Sequence, residues 1–440
     1  MEGVKHIDFI GIGGIGMSAL ARWALAEGIT VTGYDKTHSP LLDLLVAEGA
    51  KIRYSEQLVD WAIPADAWVV YTPAIPKEHP QLLAAKSSTR PVFKRAELLG
   101  IIANSGRCIA VAGTHGKTTT SSLLAWIFHQ AGIPVQAFLG GISSNLGSNF
   151  LPGPAEITVV EADEFDRSFL HLKPEAAVIT STDADHLDVY GLADEVQSAF
   201  HTFANQCQTV FASSHAHLNT EYSYGLGEEI YRAEDIRIEN GRQVFTLILD
   251  HERIENVVAG LPGLHNIENA VAASCLARHA GLSLPQIATG ISSFTGVQRR
   301  FERVFESDEG LYLDDYAHHP TEIKRLLEAV RSLYPSRTIA VLFQPHLFSR
   351  TRDFMQGFQR ELQAADAVGI LPIYAAREEA LPGITPDALA AGIPGAHVVS
   401  YSDGASWLSQ RSESVKITVG AGDIDRLIPS IVDHLKKAIA

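Results

Sequence analysis

Short apolar runs alternate with amphipathic stretches along the whole chain. "HIDFIGIGG" reads as a buried strand entering a glycine turn, "GMSALARWALAEG" as a helix with a glycine stop, and "TVTGYD" as the next strand. That is a strand–helix–strand opening. "AWVVYTPAI" predicts a later strand, and "KRAELLGIIANSGR" a helix that fades into a polar linker. From residue 106 the runs "RCIAVAG", "EITVVEA", "AAVITS" and "QTVFAS" suit buried parallel strands. "IRIENGRQVFTLIL" predicts an antiparallel insert, with Asn240-Gly241 placed for a tight turn. "HNIENAVAASCLARHAG" is a helix with a glycine stop. A third stretch carries strands "GLYLDDYA", "RTIAVLFQP", "AVGILPIY", "HVVSYS" and "VKITVG", with helical segments between.

The pattern predicts an α/β chain with three domains in tandem, over 1–105, 106–297 and 298–440. Its 440 residues provide a core for each. The hydrophobic share of 46% and the charged share of 20% are those of a soluble globular protein. No apolar run reaches the ~18 residues of a membrane span, and the N-terminus lacks a signal peptide's organisation. Cys108, Cys207 and Cys275 are far apart, fit no zinc spacing and read as reduced thiols, so the expected compartment is cytoplasmic. A net charge of −16 argues against a nucleic-acid partner. Phosphates would have to be held by local devices.

One such device is "AVAGTHGKTTT". The strand ends at Ala112, Gly113 and Gly116 let the backbone fold tightly, and a helix follows with its positive end toward the turn. Lys117 is placed to reach terminal phosphates and Thr118 to hold Mg²⁺. The candidate nucleotide-binding residues are therefore Gly113, Thr114, His115, Gly116, Lys117, Thr118 and Thr119. Val111 stands where the usual pattern has its first glycine, so this is a shortened variant; a glycine turn before an ordinary helix is the plain alternative. Two acidic clusters follow predicted strands: Glu161, Asp163, Glu164 and Asp166, then Asp183, Asp185, His186 and Asp188. Ligands collect at the carboxyl ends of parallel strands, so both clusters belong beside the phosphate turn, where carboxylates and an imidazole suit Mg²⁺. Spacing does not select among the carboxylates.

A weaker device lies at the N-terminus. Gly11, Gly13 and Gly16 have G-x-G-x-x-G spacing, with Gly14 between them, and Asp35 ends the second strand. This is the fingerprint of a Rossmann-like dinucleotide turn, but any diphosphate fits it, a UDP-sugar included. An empty strand–helix turn is the plain alternative. A nicotinamide-dependent oxidoreductase and an ATP-driven enzyme holding a second diphosphate therefore compete. The phosphate turn at 113–118 favours the second, because hydride transfer has no use for ATP. A switch without chemistry leaves the polar clusters of the third stretch unexplained.

Nine motifs in order, "GIGGIGMSALA", "AGTHGKTTT", "VVEADEFDRSF", "DADHLDVYG", "LPGLHNIENAVAA", "GVQRRFE", "DDYAHHPTE", "FQPHLFSRTRDF" and "GAGDI", together resemble the Mur ligases of bacterial cell-wall synthesis over essentially the whole chain. The resemblance implies an N-terminal domain for a UDP-sugar, a central ATPase domain and a C-terminal Rossmann-like domain that brings the amino acid and closes on ATP. It implies ATP and Mg²⁺ as cofactors and UDP-N-acetylmuramate and L-alanine as the compounds joined, through an acyl phosphate. A sister ligase that attaches a recycled peptide to the same sugar is the nearest rival.

By position, the resemblance makes Lys117 and Thr118 the phosphate-turn pair and Glu161 and His186 metal ligands. Asn269 becomes an adenine contact, Arg300 a phosphate contact, and Asp314 or Asp315 a ribose contact. It gathers Tyr316, His318, His346 and Arg350 around the alanine and the forming amide. The catalytic candidates are Lys117, His186, His318 and His346; Gly11, Gly13, Gly14, Gly16 and Asp35 are candidates for the UDP-sugar. The chain departs from the family twice. Leu347 stands where many relatives carry an arginine, and no lysine lies between Lys173 and Lys324, which removes the carbamoylated lysine that bridges metals in other members.

Overall fold

The computed structural model describes residues 3–183, 190, 192–308, 310–376 and 378–439. The α/β expectation holds, with one sheet in each of the three expected stretches.

The first sheet contains β1 (His6–Ile10), β2 (Thr30–Tyr34), β3 (Lys51–Arg53), β4 (Trp68–Tyr71) and β5 (Val92–Lys94). Its order is β3-β2-β1-β4-β5, and all pairs are parallel. The order reverses between β1 and β4, where doubly wound sheets open a crevice at their carboxyl ends. β1 delivers the Gly11–Gly16 turn to that point. Buried beneath it, Asp8 takes hydrogen bonds from Thr32, Arg53 and Trp61, so its charge is compensated as an interior charge must be.

The second sheet holds β6 (Arg107–Ala112), β7 (Gln136–Ser143), β8 (Ser148–Leu151), β9 (Ile157–Ala162), β10 (Ala176–Ile179), β11 (Thr209–Ser213), β12 (Tyr222–Gly225), β13 (Tyr231–Glu239), β14 (Arg242–Leu249) and β15 (Glu252–Val258). Its order is β15-β14-β13-β12-β11-β10-β6-β9-β7-β8. β6 is central and parallel to both neighbours, so Ala112 is level with Ala162 on β9 and Ile179 on β10. Asn240 (φ 51°) and Gly241 (φ 73°) form the expected two-residue turn between β13 and β14. β8 pairs antiparallel with β7 at the opposite edge.

The third sheet holds β16 (Glu302–Glu306), β17 (Leu311–Asp315), β18 (Ile339–Phe343), β19 (Ala367–Ile370), β20 (His397–Val398) and β21 (Val415–Val419). Its order is β16-β17-β21-β18-β19-β20, parallel except for β16. Apolar residues such as Leu313, Val341, Phe343 and Ile417 are fully buried on it.

The chain divides into two compact units. One comprises Met1–Asp235, Phe245–Val258 and Glu268–Thr295; the other comprises Ile236–Val244, Ala259–Ile267 and Gly296–Ala440. In the first unit one apolar core runs from Ile7 on β1 through Cys108 on β6 to Ala216, and a smaller one gathers Ile10, Tyr34, Val69, Leu82 and Ala85. All three cysteines are free.

Candidate functional site

The phosphate turn follows from β6 and the helix α5 (Lys117–Gln130). β6 is apolar and buried, so it ends where polar residues begin. Gly113 has φ +130° and Gly116 φ +82°, a backbone that L side chains rarely adopt. A Cβ on Gly113 would lie 2.1 Å from Thr180 Oγ1, and one on Gly116 2.5 Å from Asn269 Oδ1. Both glycines are thus required by space as well as by dihedral. Ser181 fixes the turn by accepting from Thr114 N (3.0 Å) and, through its hydroxyl, from His115 N (2.9 Å). Thr114 Oγ1 donates to Asp183 O at 2.8 Å. His115 lies 3.4 Å from the Asp183 carboxylate.

The β6–β9 register sets Glu161 opposite Val111. Its carboxylate accepts from Thr118 Oγ1 at 3.1 Å, Ser121 Oγ at 3.4 Å and Gly140 N at 2.9 Å. Thr118 and Glu161 are hard oxygen donors facing one another, a pair that fits Mg²⁺. The expected third ligand, His186, lies outside the described residues, as do Asp185 and Asp188. Among the described residues no group of three or more His, Cys, Asp or Glu forms a metal cage.

Lys117 Nζ donates to Gly113 O at 2.7 Å and to Glu164 Oε2 at 2.6 Å; Glu164 is buried and Lys117 largely so. Burial alone would lower the lysine's pKa, but the carboxylates of Glu164, Asp163 and Glu161 outweigh it and hold the ammonium charged. Burial pushes Glu164 up to about 7, against the pull of Lys117. Tyr190 OH donates to Glu164 O at 2.6 Å and anchors this carboxylate's backbone. Sequence spacing left Glu164 as one acid in a cluster; its pairing with the lysine follows from the tight turn after β9.

At the N-terminal turn, Gly11 N and Ile12 N donate to Tyr34 O. Asp35 accepts from Gly13 N at 2.8 Å and from Thr37 N at 3.2 Å, so its carboxylate braces the turn. Gly14 caps the helix α1 (Ile15–Ala26). A Cβ on Gly16 would lie 2.7 Å from Arg95 Nη1.

The second unit gathers the other candidates. Tyr316 lies under Arg299 and Arg300, each guanidinium 5.1 Å from its ring centre. His318 Nδ1 is 3.0 Å from Tyr316 O, and its ring centre is 6.3 Å from that of His346. Arg350 Nη1 donates to His346 Nδ1 at 3.5 Å, and His346 stacks on Tyr374. Glu322, which spacing did not single out, accepts from His318 N at 3.0 Å and lies 3.8 Å from Arg300. Burial, aided by Arg325 and Arg300, pushes nearby His265 down to about 3, so its ring is neutral. Leu347 is buried and holds φ +67° at the cap of the helix Phe348–Leu362. Asp314 accepts from Thr418 Oγ1 at 2.6 Å and from Arg299 Nε at 3.0 Å. Asp315 accepts from Phe301 N and Ala317 N. These are the bonds of a strand-end anchor.

A P-loop lysine paired with a buried glutamate, two glycine turns on parallel strands and an arginine- and histidine-bearing cluster beside the third sheet define a multi-part ligase fold. The chain belongs to the Mur ligase family. Family models match for the Mur ligase catalytic domain over residues 6–107, the middle domain over 111–277 and the glutamate ligase domain over 299–424. The chain is 43% identical to the UDP-N-acetylmuramate–L-alanine ligase of Flavobacterium johnsoniae, covering 99% of both chains. It superposes on the crystal structure of the UDP-N-acetylmuramate–alanine ligase MurC from Thermotoga maritima with a TM-score of 0.86, at 28% identity, covering 98% of this chain and 99% of that one. A murein peptide ligase from Psychrobacter arcticus shares the fold, with a TM-score of 0.71 at 22% identity over 99% of this chain and 100% of that one. Among the described residues no helix is long and apolar enough to cross a membrane.

Proposed function

We propose that this chain joins L-alanine to the lactyl carboxylate of UDP-N-acetylmuramate at the expense of ATP, releasing ADP and phosphate. The observation that carries the reading is 43% identity across 99% of both chains to a ligase of that name. The higher TM-score with the alanine ligase than with the murein peptide ligase favours alanine over a recycled peptide as the acceptor. A ligase drawing on ATP and a UDP-sugar works in the cytoplasm.

A carboxylate does not condense with an amine at neutral pH, because its leaving group would be oxide. A carboxylate oxygen therefore attacks the γ-phosphorus, ADP leaves, and an acyl phosphate forms. The alanine nitrogen attacks the acyl carbon, loses a proton, and phosphate leaves. Phosphoryl transfer asks the protein mainly for position and charge neutralisation. In this reading Lys117 and the backbone amides of Gly113–Thr118 hold the phosphates, with Asn269 packed on the turn beside the nucleotide. Thr118, Glu161 and His186 would hold Mg²⁺, which supplies further charge neutralisation when bound. Gly11, Gly13, Gly14 and Gly16 hold the UDP-sugar's diphosphate, with Asp35 bracing them. Arg350 takes the alanine carboxylate through its guanidinium fork, with Tyr316, His318 and His346 around it, and Arg300 contacts phosphate.

The test is ADP release with each substrate omitted in turn. Release that needs both UDP-N-acetylmuramate and L-alanine supports the reading. Release without the sugar nucleotide, or none with all three present, overturns it.

A further inference from the structure

A small cavity of about 90 Å³ lies within the first unit, lined by Ile15 and Gly16 of the N-terminal turn, by Arg95, by Gly140, and by Glu161 and Asp163. It has room for several water-sized groups, which suits a small acid group and not a nucleotide. It reaches from the candidate diphosphate turn to the candidate metal carboxylate. Arg95 is the one cation lining it among the described residues.

Arg95 begins the helix Arg95–Ala103 directly after β5. Its Nη2 lies 3.3 Å from Asp163 Oδ2, a long ion pair, and 3.5 Å from Ser168 Oγ. Its Nη1 edge passes over Gly16, where a Cβ would lie 2.7 Å from Nη1 and 3.1 Å from Cδ. The third glycine of G-x-G-x-x-G therefore makes room here for a guanidinium. Asp35, the other charged group at the turn, is committed to Gly13 N and Thr37 N.

We infer that Arg95 binds the lactyl carboxylate of the sugar nucleotide, holding it in the cavity beside Glu161, and that Gly16 is there to admit Arg95. The inference rests on the ligase reading above. The rest of the wall is apolar apart from Glu161 and Asp163, so an arriving carboxylate finds no other cation there among the described residues and needs Arg95 to offset the two acids. A planar guanidinium that exchanges its long contact with Asp163 for an arriving carboxylate offers two parallel charge-assisted hydrogen bonds. A diphosphate on the turn amides would instead sit near Gly13, where Asp35 braces the backbone.

The test is calorimetric binding to the full chain of UDP-N-acetylmuramate and of UDP-N-acetylglucosamine, which lacks the lactyl acid. Wild type should prefer the acid sugar by roughly tenfold or more. Arg95→Met should close most of that gap by weakening the acid sugar alone, and retained UDP-N-acetylglucosamine binding shows that the fold is intact. Equal weakening of both sugars assigns Arg95 to the diphosphate or to the fold and overturns the inference. So does an unchanged preference in Arg95→Met. A wild type that binds no UDP-N-acetylmuramate fails the ligase reading itself.

Discussion

Lys117 Nζ lies 2.6 Å from the buried Glu164 Oε2 behind the phosphate turn. The lysine that the sequence points at a nucleotide is held by a carboxylate and by the Gly113 carbonyl. Nucleotide phosphates have to compete with Glu164 for it. Lys117→Ala should lower ligation on the order of 10²–10³ or more while leaving the fold intact, because a Glu164 whose pKa is about 7 can take a proton when its partner is lost. Steady-state ADP release alongside far-UV circular dichroism checks this, and near-normal turnover by a folded variant would contradict it.

The same carboxylate makes stability depend on pH. Burial raises the folded pKa of Glu164 from 4.5 to about 7, so between those values the folded state binds the proton more tightly than the unfolded state does. Its contribution to stability therefore falls as pH rises from about 4.5 to 7 and is level above. Glu164→Gln removes that term. The urea midpoint of the variant relative to wild type should rise between pH 5 and 7.5. A constant difference across that range would remove Glu164 from the account.

Glu161 touches Thr118, Ser121 and Gly140, and its oxygens face the start of α5. Glu161→Gln preserves these contacts in shape and removes the charge. The Mg²⁺ concentration giving half-maximal activity should rise roughly tenfold or more. An unchanged magnesium titration would show that the carboxylate serves only to brace the turn.

Arg350 is buried beside His346, on a helix whose Leu347 cap carries no charge. With that position apolar, the proposed hold on the alanine carboxylate falls to Arg350. Arg350→Ala should raise KM for L-alanine roughly tenfold or more, with KM for ATP and for the sugar nucleotide nearly unchanged. Arg350→Lys should recover only part, since an ammonium lacks the fork. A parallel rise in all three KM values would indicate a packing defect.

Much of the fold was legible because buried parallel strands read as continuous apolar runs. "RCIAVAG" and "EITVVEA" lie on β6 and β9, and the Asn240-Gly241 turn falls where its dipeptide indicated. The edges were harder. β7, "QAFLGGIS", carries two glycines, and β16, "ERVFE", is a half-exposed edge strand without strong alternation. β15 was missed because Asp250 and His251, both at positive φ, make a second two-residue turn without a glycine. At the site, motif spacing found the turn and its lysine. It did not pair Lys117 with Glu164, nor give Glu322 its place between His318 and Arg300, because those depend on loop paths and on contacts between elements far apart in sequence. Nor did it show that the Arg95 guanidinium passes over Gly16, because Arg95 reaches it from a helix distant in sequence.

The central claim is that ATP activates the sugar's acid group by phosphorylating it. UDP-N-acetylmuramate labelled with ¹⁸O in its lactyl carboxylate, turned over with ATP and L-alanine, tests this directly by mass spectrometry of the products. One labelled oxygen should pass into the released phosphate, and the other should stay in the new amide. Ligation with unlabelled phosphate, or no ligation at all, would contradict the account.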